Sequence, residues 1–261
     1  LAPDPWVDVK RGELEALIRA CTGLWLEATA SEASVSPGST LKVTATAINR
    51  SPAPLRLLRV TPSLGGVPLP ADAALGTNQP KVTELALAVP ADMPVTHPYW
   101  LAGQHRNGRY EIGDLRLVGR PEAPAPLSVT FTVALAGNEL ELAVPVEHRL
   151  TDPVNGERIC PVAIVPPVTA TFAAPVLVFA DSSPRPVPLR VRAHRADAFA
   201  RLALRLPPGF AAKPESVDVH LARIDEEKTV VFEVAAPSDP AAGEIAAVVL
   251  NGAATVARGD E

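Results

Sequence analysis

The chain has 261 residues, with 24 Lys+Arg against 29 Asp+Glu for a formal net charge of −5. A net acidic chain lacks the basic face that nucleic acid demands, and 29 prolines with 16 glycines exclude a mainly helical protein. Hydrophobic residues reach 47%, enough for packed cores and too many for intrinsic disorder.

The first predicted element is a helix. Leu14, Leu17, Ile18 and Cys21 recur at i, i+3, i+4 and i+7, with Arg11, Glu15 and Arg19 on the other face. This predicts an amphipathic helix over about 9–22, capped by Asp8 and ended by Gly23, whose stripe of Leu14, Leu17, Ile18 and Cys21 packs either on the following domain or on one upstream. It forms a connecting segment within residues 1–25. Cys21 and Cys160 are the only cysteines; they allow one disulfide or none, and match no metal spacing.

From residue 26 the period changes to two. Leu41, Val43, Ala45 and Ala47 alternate with Lys42, Thr44 and Thr46, the pattern of a strand with one wet face. Leu85, Leu87 and Val89 alternate likewise. Leu127 to Leu135, a turn at Ala136-Gly137-Asn138, and Leu140 to Val146 read as an antiparallel hairpin with one face buried. The sequon Asn49-Arg50-Ser51 matters only in a eukaryotic secretory pathway.

At Ile164-Val165-Pro166-Pro167 the pattern resets, as at a domain junction. Seven strands are predicted beyond it: Val168–Phe172, Val176–Phe179, Val187–Ala193, Leu202–Leu206, Ser216–Leu221, Thr229–Ala235 and Ile245–Val256. The expected fold is all-β: two immunoglobulin/fibronectin-like β-sandwich domains, a larger one over 26–165 and a seven-stranded one over 166–261, preceded by one short helix.

Enzyme motifs are missing. There is no phosphate-cradling glycine loop, no Gly-x-Ser-x-Gly elbow and no His-Glu-x-x-His, and the five histidines are scattered. No catalytic residue, metal ligand or cofactor is therefore assigned. The densest unusual stretch is 97–122, which holds both tyrosines and one of the three tryptophans in a chain with only 4% aromatics. Rings with nearby polar groups are the tools of sugar binding, so His97, Tyr99, Trp100, Arg109, Tyr110 and Asp114 are the candidate ligand-binding residues, expected near the surface; the bland reading makes Trp100 and Tyr110 core plugs. A second stretch, Pro145 to Glu157, carries the turn dipeptides Asp152-Pro153 and Asn155-Gly156. It reads as a polar bend braced by Arg149 or Arg158 rather than a calcium loop.

The order of several short motifs carries a resemblance: Cys21-Thr22-Gly23-Leu24-Trp25 with Glu27-Ala28, Pro37-Gly38, Asn49-Arg50-Ser51, Pro98-Tyr99-Trp100-Leu101, Gly108 and Tyr110, Gly119-Arg120-Pro121-Glu122, Pro145-Val146, Asp152-Pro153-Val154 with Gly156-Glu157, and Val165-Pro166-Pro167-Val168. Together, over residues 6–168, they resemble the non-catalytic region of bacterial PIG-L (LmbE-like) family deacetylases. Leu206-Pro207-Pro208-Gly209-Phe210, Lys213-Pro214 and Val230 to Val234 resemble fibronectin-like accessory modules of glycan-active enzymes. The resemblance implies a non-catalytic accessory region of a periplasmic or secreted glycan (N-acetylglucosaminyl) deacetylase that positions the catalytic domain or contacts glycan, with that polypeptide's deacetylase domain, or glycan, as partner and neither nucleic acid nor membrane; the alternative is a purely structural or protein-interaction β-sandwich module without carbohydrate binding. The family's Ala-His-Pro-Asp-Asp-Glu-type zinc motif is absent from this sequence, so none of its catalytic or metal residues carries over.

Overall fold

The computed structural model describes residues 4–64, 68–103 and 108–250. It is mostly β, with one helix and several sheets in a sandwich-like arrangement. The chain divides into two compact units, the first ending at Ile164 and the second beginning at Val165.

The first unit opens with α1 (Pro5–Thr22). Asp4 caps it by accepting a bond from the Trp6 backbone N–H, so the helix starts a turn earlier than predicted and the cap is not Asp8. Gly23 ends it in the left-handed region at φ 60°, returning its N–H to Ala20. The stripe is not buried against the following domain. Leu14 and Leu17 are 56% and 59% exposed, Cys21 is exposed, and Ile18 is only half-buried. Both cysteines are free.

The strands of this unit are β1 (Leu24–Ala30), β2 (Ser34–Val35), β3 (Thr40–Asn49), β4 (Leu55–Pro62), β5 (Leu69–Ala74), β6 (Lys81–Ala88), β7 (Ser128–Leu135), β8 (Asn138–Asp152), β9 (Gly156–Pro161) and β10 (Ala163–Ile164). They run in the order β5-β4-β7-β8-β1-β3-β6, with β9 on β8, while β10 pairs β2. The long β8 joins two sets of strands. Its first half pairs β7 up to Ser128↔Pro145, and from Val146 it pairs β1 in parallel and then β9. Inward residues of both sets form one core, including Leu57, Val60, Phe131 and Val133 with Leu26, Ala28, Val43 and Ala45. The alternation read from sequence on β3, β7 and β8 matches their burial, since successive strand residues face opposite sides. The stretch after Pro145 is not a bend. It continues as β8 and returns as β9.

Asn49, first residue of the sequon, is 1% exposed. Its Nδ2 donates to the carbonyls of Ala53 at 2.8 Å and Leu75 at 3.0 Å. It pins two loops, and no glycan reaches it.

The second unit has β11 (Val168–Phe172), β12 (Arg185–Ala193), β13 (Ala198–Arg205), β14 (Ala211–Lys213), β15 (Ser216–Leu221), β16 (Glu227–Ala235) and β17 (Ala246–Val249). They form a sheet β11-β12-β16-β14 and a sheet β15-β13-β17 around a core that includes Leu189, Leu202, Leu221 and Phe232. The predicted strand Val176–Phe179 is not formed, and β14 supplies the seventh strand instead. The Pro188 carbonyl accepts from Ala173, so Pro188, and Pro186 two residues before it, turn nitrogens without hydrogens toward the side where 176–179 would pair. The Arg185 guanidinium takes the Val178 carbonyl instead. The predicted strand at 202–206 begins earlier, at Ala198. The part of the last predicted strand beyond Leu250 lies outside the described residues.

Candidate functional site

The register of the first unit defines its two ends. Leu24 faces Asn49 where α1 enters, and Ala30 faces Val43 at the other end of the same pair of strands. The distal end also holds Ala88, opposite Thr40, and Ser128, opposite Pro145. The long connection from β6 to β7 therefore leaves and returns at the end opposite α1.

Two contacts fix the feet of that connection. Thr96 bonds Ile164, and the Leu127 carbonyl accepts from Val146. Between them the described residues form two short 3₁₀ turns, Tyr99–Leu101 and Leu115–Leu117. Connections this long without regular structure are usually functional.

His97, Arg109 and Tyr110 are exposed, whereas Tyr99, Trp100 and Asp114 are half-buried. Trp100 is thus neither a core plug nor an open platform. Its ring meets Tyr99 edge to face, centroids 4.9 Å apart at 87°, and the Tyr99 hydroxyl donates to the Arg120 carbonyl at 3.0 Å. Asp114 takes the Arg116 guanidinium through both oxygens and caps its own turn through the Arg116 backbone N–H. The donated bonds from Arg116, side chain first and then backbone, pull the Asp114 carboxyl down to about 2. These pairs brace the loop and consume polar groups that a sugar would need. His105 and Arg106 lie outside the described residues.

The stretch 147–161 adds a second feature at this end. Val162 donates to the Val146 carbonyl, and beyond that point β8 and β9 pair from Glu147↔Pro161 to Asp152↔Gly156. Six paired rungs at about 3.4 Å per residue make this pair roughly 17 Å long. Asp152 caps its tip, accepting from Val154 and Asn155, which lowers its pKa. Arg149 is the counter-charge, paired with Glu27 and Glu157. Every residue of β9 is exposed.

Other polar clusters serve the sheets. His148 Nδ1 is 3.1 Å from the Ala30 carbonyl, so that nitrogen carries the proton. His194 Nε2 meets Thr169 Oγ1 at 2.9 Å, and burial, helped by Arg192, lowers its pKa. His220 stacks on Phe199 and bonds Asp197. Among the described residues no group of three or more His, Cys, Asp or Glu is placed to hold a metal ion, and no helix is long and apolar enough to cross a membrane.

Sequence reasoning missed the β8–β9 pair: the turn dipeptides Asp152-Pro153 and Asn155-Gly156 read as a bend, whereas they close a hairpin whose strands continue the sheet.

No protein-family model and no curated protein matches the chain. Among solved structures it is similar to a Salmonella alpha-2-macroglobulin mutant, Y1175G, at 15% identity and TM-score 0.26, covering 87% of this chain and 15% of that one. It is also similar to a protein of unknown function from Porphyromonas gingivalis W83, at 14% identity and TM-score 0.21, covering 87% and 92% of the two chains. The chain thus spans about 15% of the Salmonella protein's length.

Proposed function

We propose that this chain is a non-catalytic accessory region of a multidomain glycan (N-acetylglucosaminyl) deacetylase, and that it positions the catalytic domain through α1. The observation that carries this is the unpartnered stripe of α1, where Trp6, Leu14, Leu17 and Cys21 face outward on a capped 18-residue helix. An isolated helix of this length is marginal in water, and most helical stability comes from packing the apolar face. Its partner is a protein surface. The ordered motifs over residues 6–168 supply the identity of that surface, the deacetylase domain. In the same reading the two units are immunoglobulin/fibronectin-like domains that meet at Pro166-Pro167; the four-plus-three strand arrangement of the second unit supports this.

Direct glycan contact by the 97–114 loop is the less supported branch, because Tyr99 and Trp100 pack on each other and Asp114 is taken by Arg116. The accessory reading is tested by the coding sequence upstream of Leu1. An Ala-His-Pro-Asp-Asp-Glu-type motif in the same frame is expected, and its absence overturns the assignment.

A further inference from the structure

We infer that α1 is a rigid arm rather than a flexible tether, and that Ser51 and the backbone of Arg50 are the positioning residues that fix its direction, so that a domain docked on the α1 stripe is held at one orientation to the first unit. The docked domain rests on the accessory reading; the arm does not.

The C-terminal end of α1 decides its direction. Along the helix only Glu15, Ile18, Arg19 and Thr22, all in the last two turns, are half-buried, and the other residues from Trp6 onward are exposed. The last carbonyls of a helix have no partner within the helix. Here the turn between β3 and β4 supplies partners. The Ser51 hydroxyl donates to the Thr22 carbonyl at 2.6 Å, and the Arg50 N–H donates to the Gly23 carbonyl at 2.9 Å.

Gly23 alone separates α1 from β1, and β1 pairs β3 from its first residue, Leu24 with Asn49 and Trp25 with Ile48. Thr22, Gly23, Leu24 and Trp25 are thus each tied to one of residues 48–51, which leaves no free residue between helix and sheet to act as a hinge. Gly23 also passes so close to the turn that an added Cβ would lie 3.3 Å from the Arg50 Cβ. The Arg50 guanidinium reaches back over the Trp25 ring, 5.2 Å from its centroid.

The turn that holds the arm is itself held. The Asn49 side chain spans the Ala53 and Leu75 carbonyls, and its Oδ1 accepts the Ser51 N–H at 3.0 Å. From the loop after β5, Thr77 Oγ1 donates to the Ser51 carbonyl at 3.0 Å and the Asn78 N–H to the Asn49 carbonyl at 2.7 Å. Such a base matters because the arm is long. An 18-residue helix extends about 27 Å, so a tilt of about 20° at the clamp moves its far end by about 9 Å.

Residual dipolar couplings on the whole chain are the test. One alignment tensor is expected to fit the amides of α1 together with those of β1 and β3. Insertion of Gly-Ser-Gly-Ser after Thr22 gives the tethered limit, in which the helix loses most of that order. Ser51→Ala is expected to move α1 toward that limit with its helicity unchanged, and to speed amide exchange at Arg50 at least about fivefold. Ser51→Thr, which keeps the hydroxyl, is expected to restore both. A Ser51 that merely stabilised the unit would lower the melting point and leave α1 on the tensor of the sheet. Should Ser51→Ala not fold, Thr77→Val, which frees the Ser51 carbonyl, is expected to give the same loss of order in smaller measure. An α1 that needs its own tensor in the unmodified chain overturns the arm. Couplings and exchange unmoved by Ser51→Ala, or by Thr77→Val in its place, overturn the role of Ser51. The upstream polypeptide enters none of these measurements, so its failure to bind would overturn the accessory reading and leave the arm standing.

Discussion

Thr96 and Ile164, 68 positions apart, hold each other through three hydrogen bonds: the Thr96 backbone N–H and hydroxyl both donate to the Ile164 carbonyl, at 2.8 and 3.1 Å, and the Ile164 N–H donates to the Thr96 hydroxyl at 3.1 Å. One threonine thereby fixes the first foot of the β6–β7 loop to the last strand of the first unit. Thr96→Val keeps the shape and removes two of the three bonds. Each is worth about 1 kcal/mol net, so a loss of roughly 1–2 kcal/mol in denaturant unfolding is expected, with faster amide exchange at 97–103. Unchanged exchange there would show that the clamp does not hold the loop.

Leu17 and Phe131 make a contrast. Leu17→Asp alters an exposed helix face and should leave the melting transition of this chain where it is. Phe131→Ala opens a cavity at a fully buried position and should cost about 3–5 kcal/mol. A large loss from Leu17→Asp would mean that α1 packs on its own sandwich.

The strands were legible in the sequence because alternation is a direct image of a half-buried sheet. Val43, Ala45 and Ala47 on β3, and Val129, Phe131 and Val133 on β7, are buried as their period requires. The α1 stripe was legible as a pattern but not as a fate: a 3.6-residue period says that an apolar face exists, not what covers it. Val176–Phe179 failed because the edge beside it is set by Pro186 and Pro188, ten residues away in sequence, and alternation within a segment does not report its neighbour's missing donors. At the candidate site, the concentration of aromatics singled out the β6–β7 loop. The ring-on-ring contact of Tyr99 with Trp100 and the Asp114–Arg116 pair, both local, decided how its side chains are spent.

Asn49→Ala should cost about 1–3 kcal/mol by leaving the Ala53 and Leu75 carbonyls unsatisfied. Mass spectrometry of the chain secreted from a eukaryotic host should find Asn49 unmodified. Full occupancy by glycan would contradict its burial.

Asp114 should titrate near pH 2 by carbon-detected NMR. Its folded value lies below the ordinary carboxylate value of about 3.9, so whatever it contributes is present above pH 4 and is lost as pH falls toward 2. Because its partner Arg116 is exposed and the pair sits on a loop, the melting point should hardly change; the 3₁₀ turn at Leu115–Leu117 should loosen locally. Arg116→Ala should return the midpoint toward 4, and a midpoint near 4 in the unmodified chain would contradict the pairing.

The role assigned to α1 is tested most directly by calorimetric titration of this chain with the polypeptide encoded immediately upstream of it. Saturable one-to-one binding is predicted for the unmodified chain, falling at least about tenfold with Leu14→Glu/Leu17→Glu while the chain's own melting transition stays unchanged. No binding, or equal binding by the doubly substituted chain, would contradict the account.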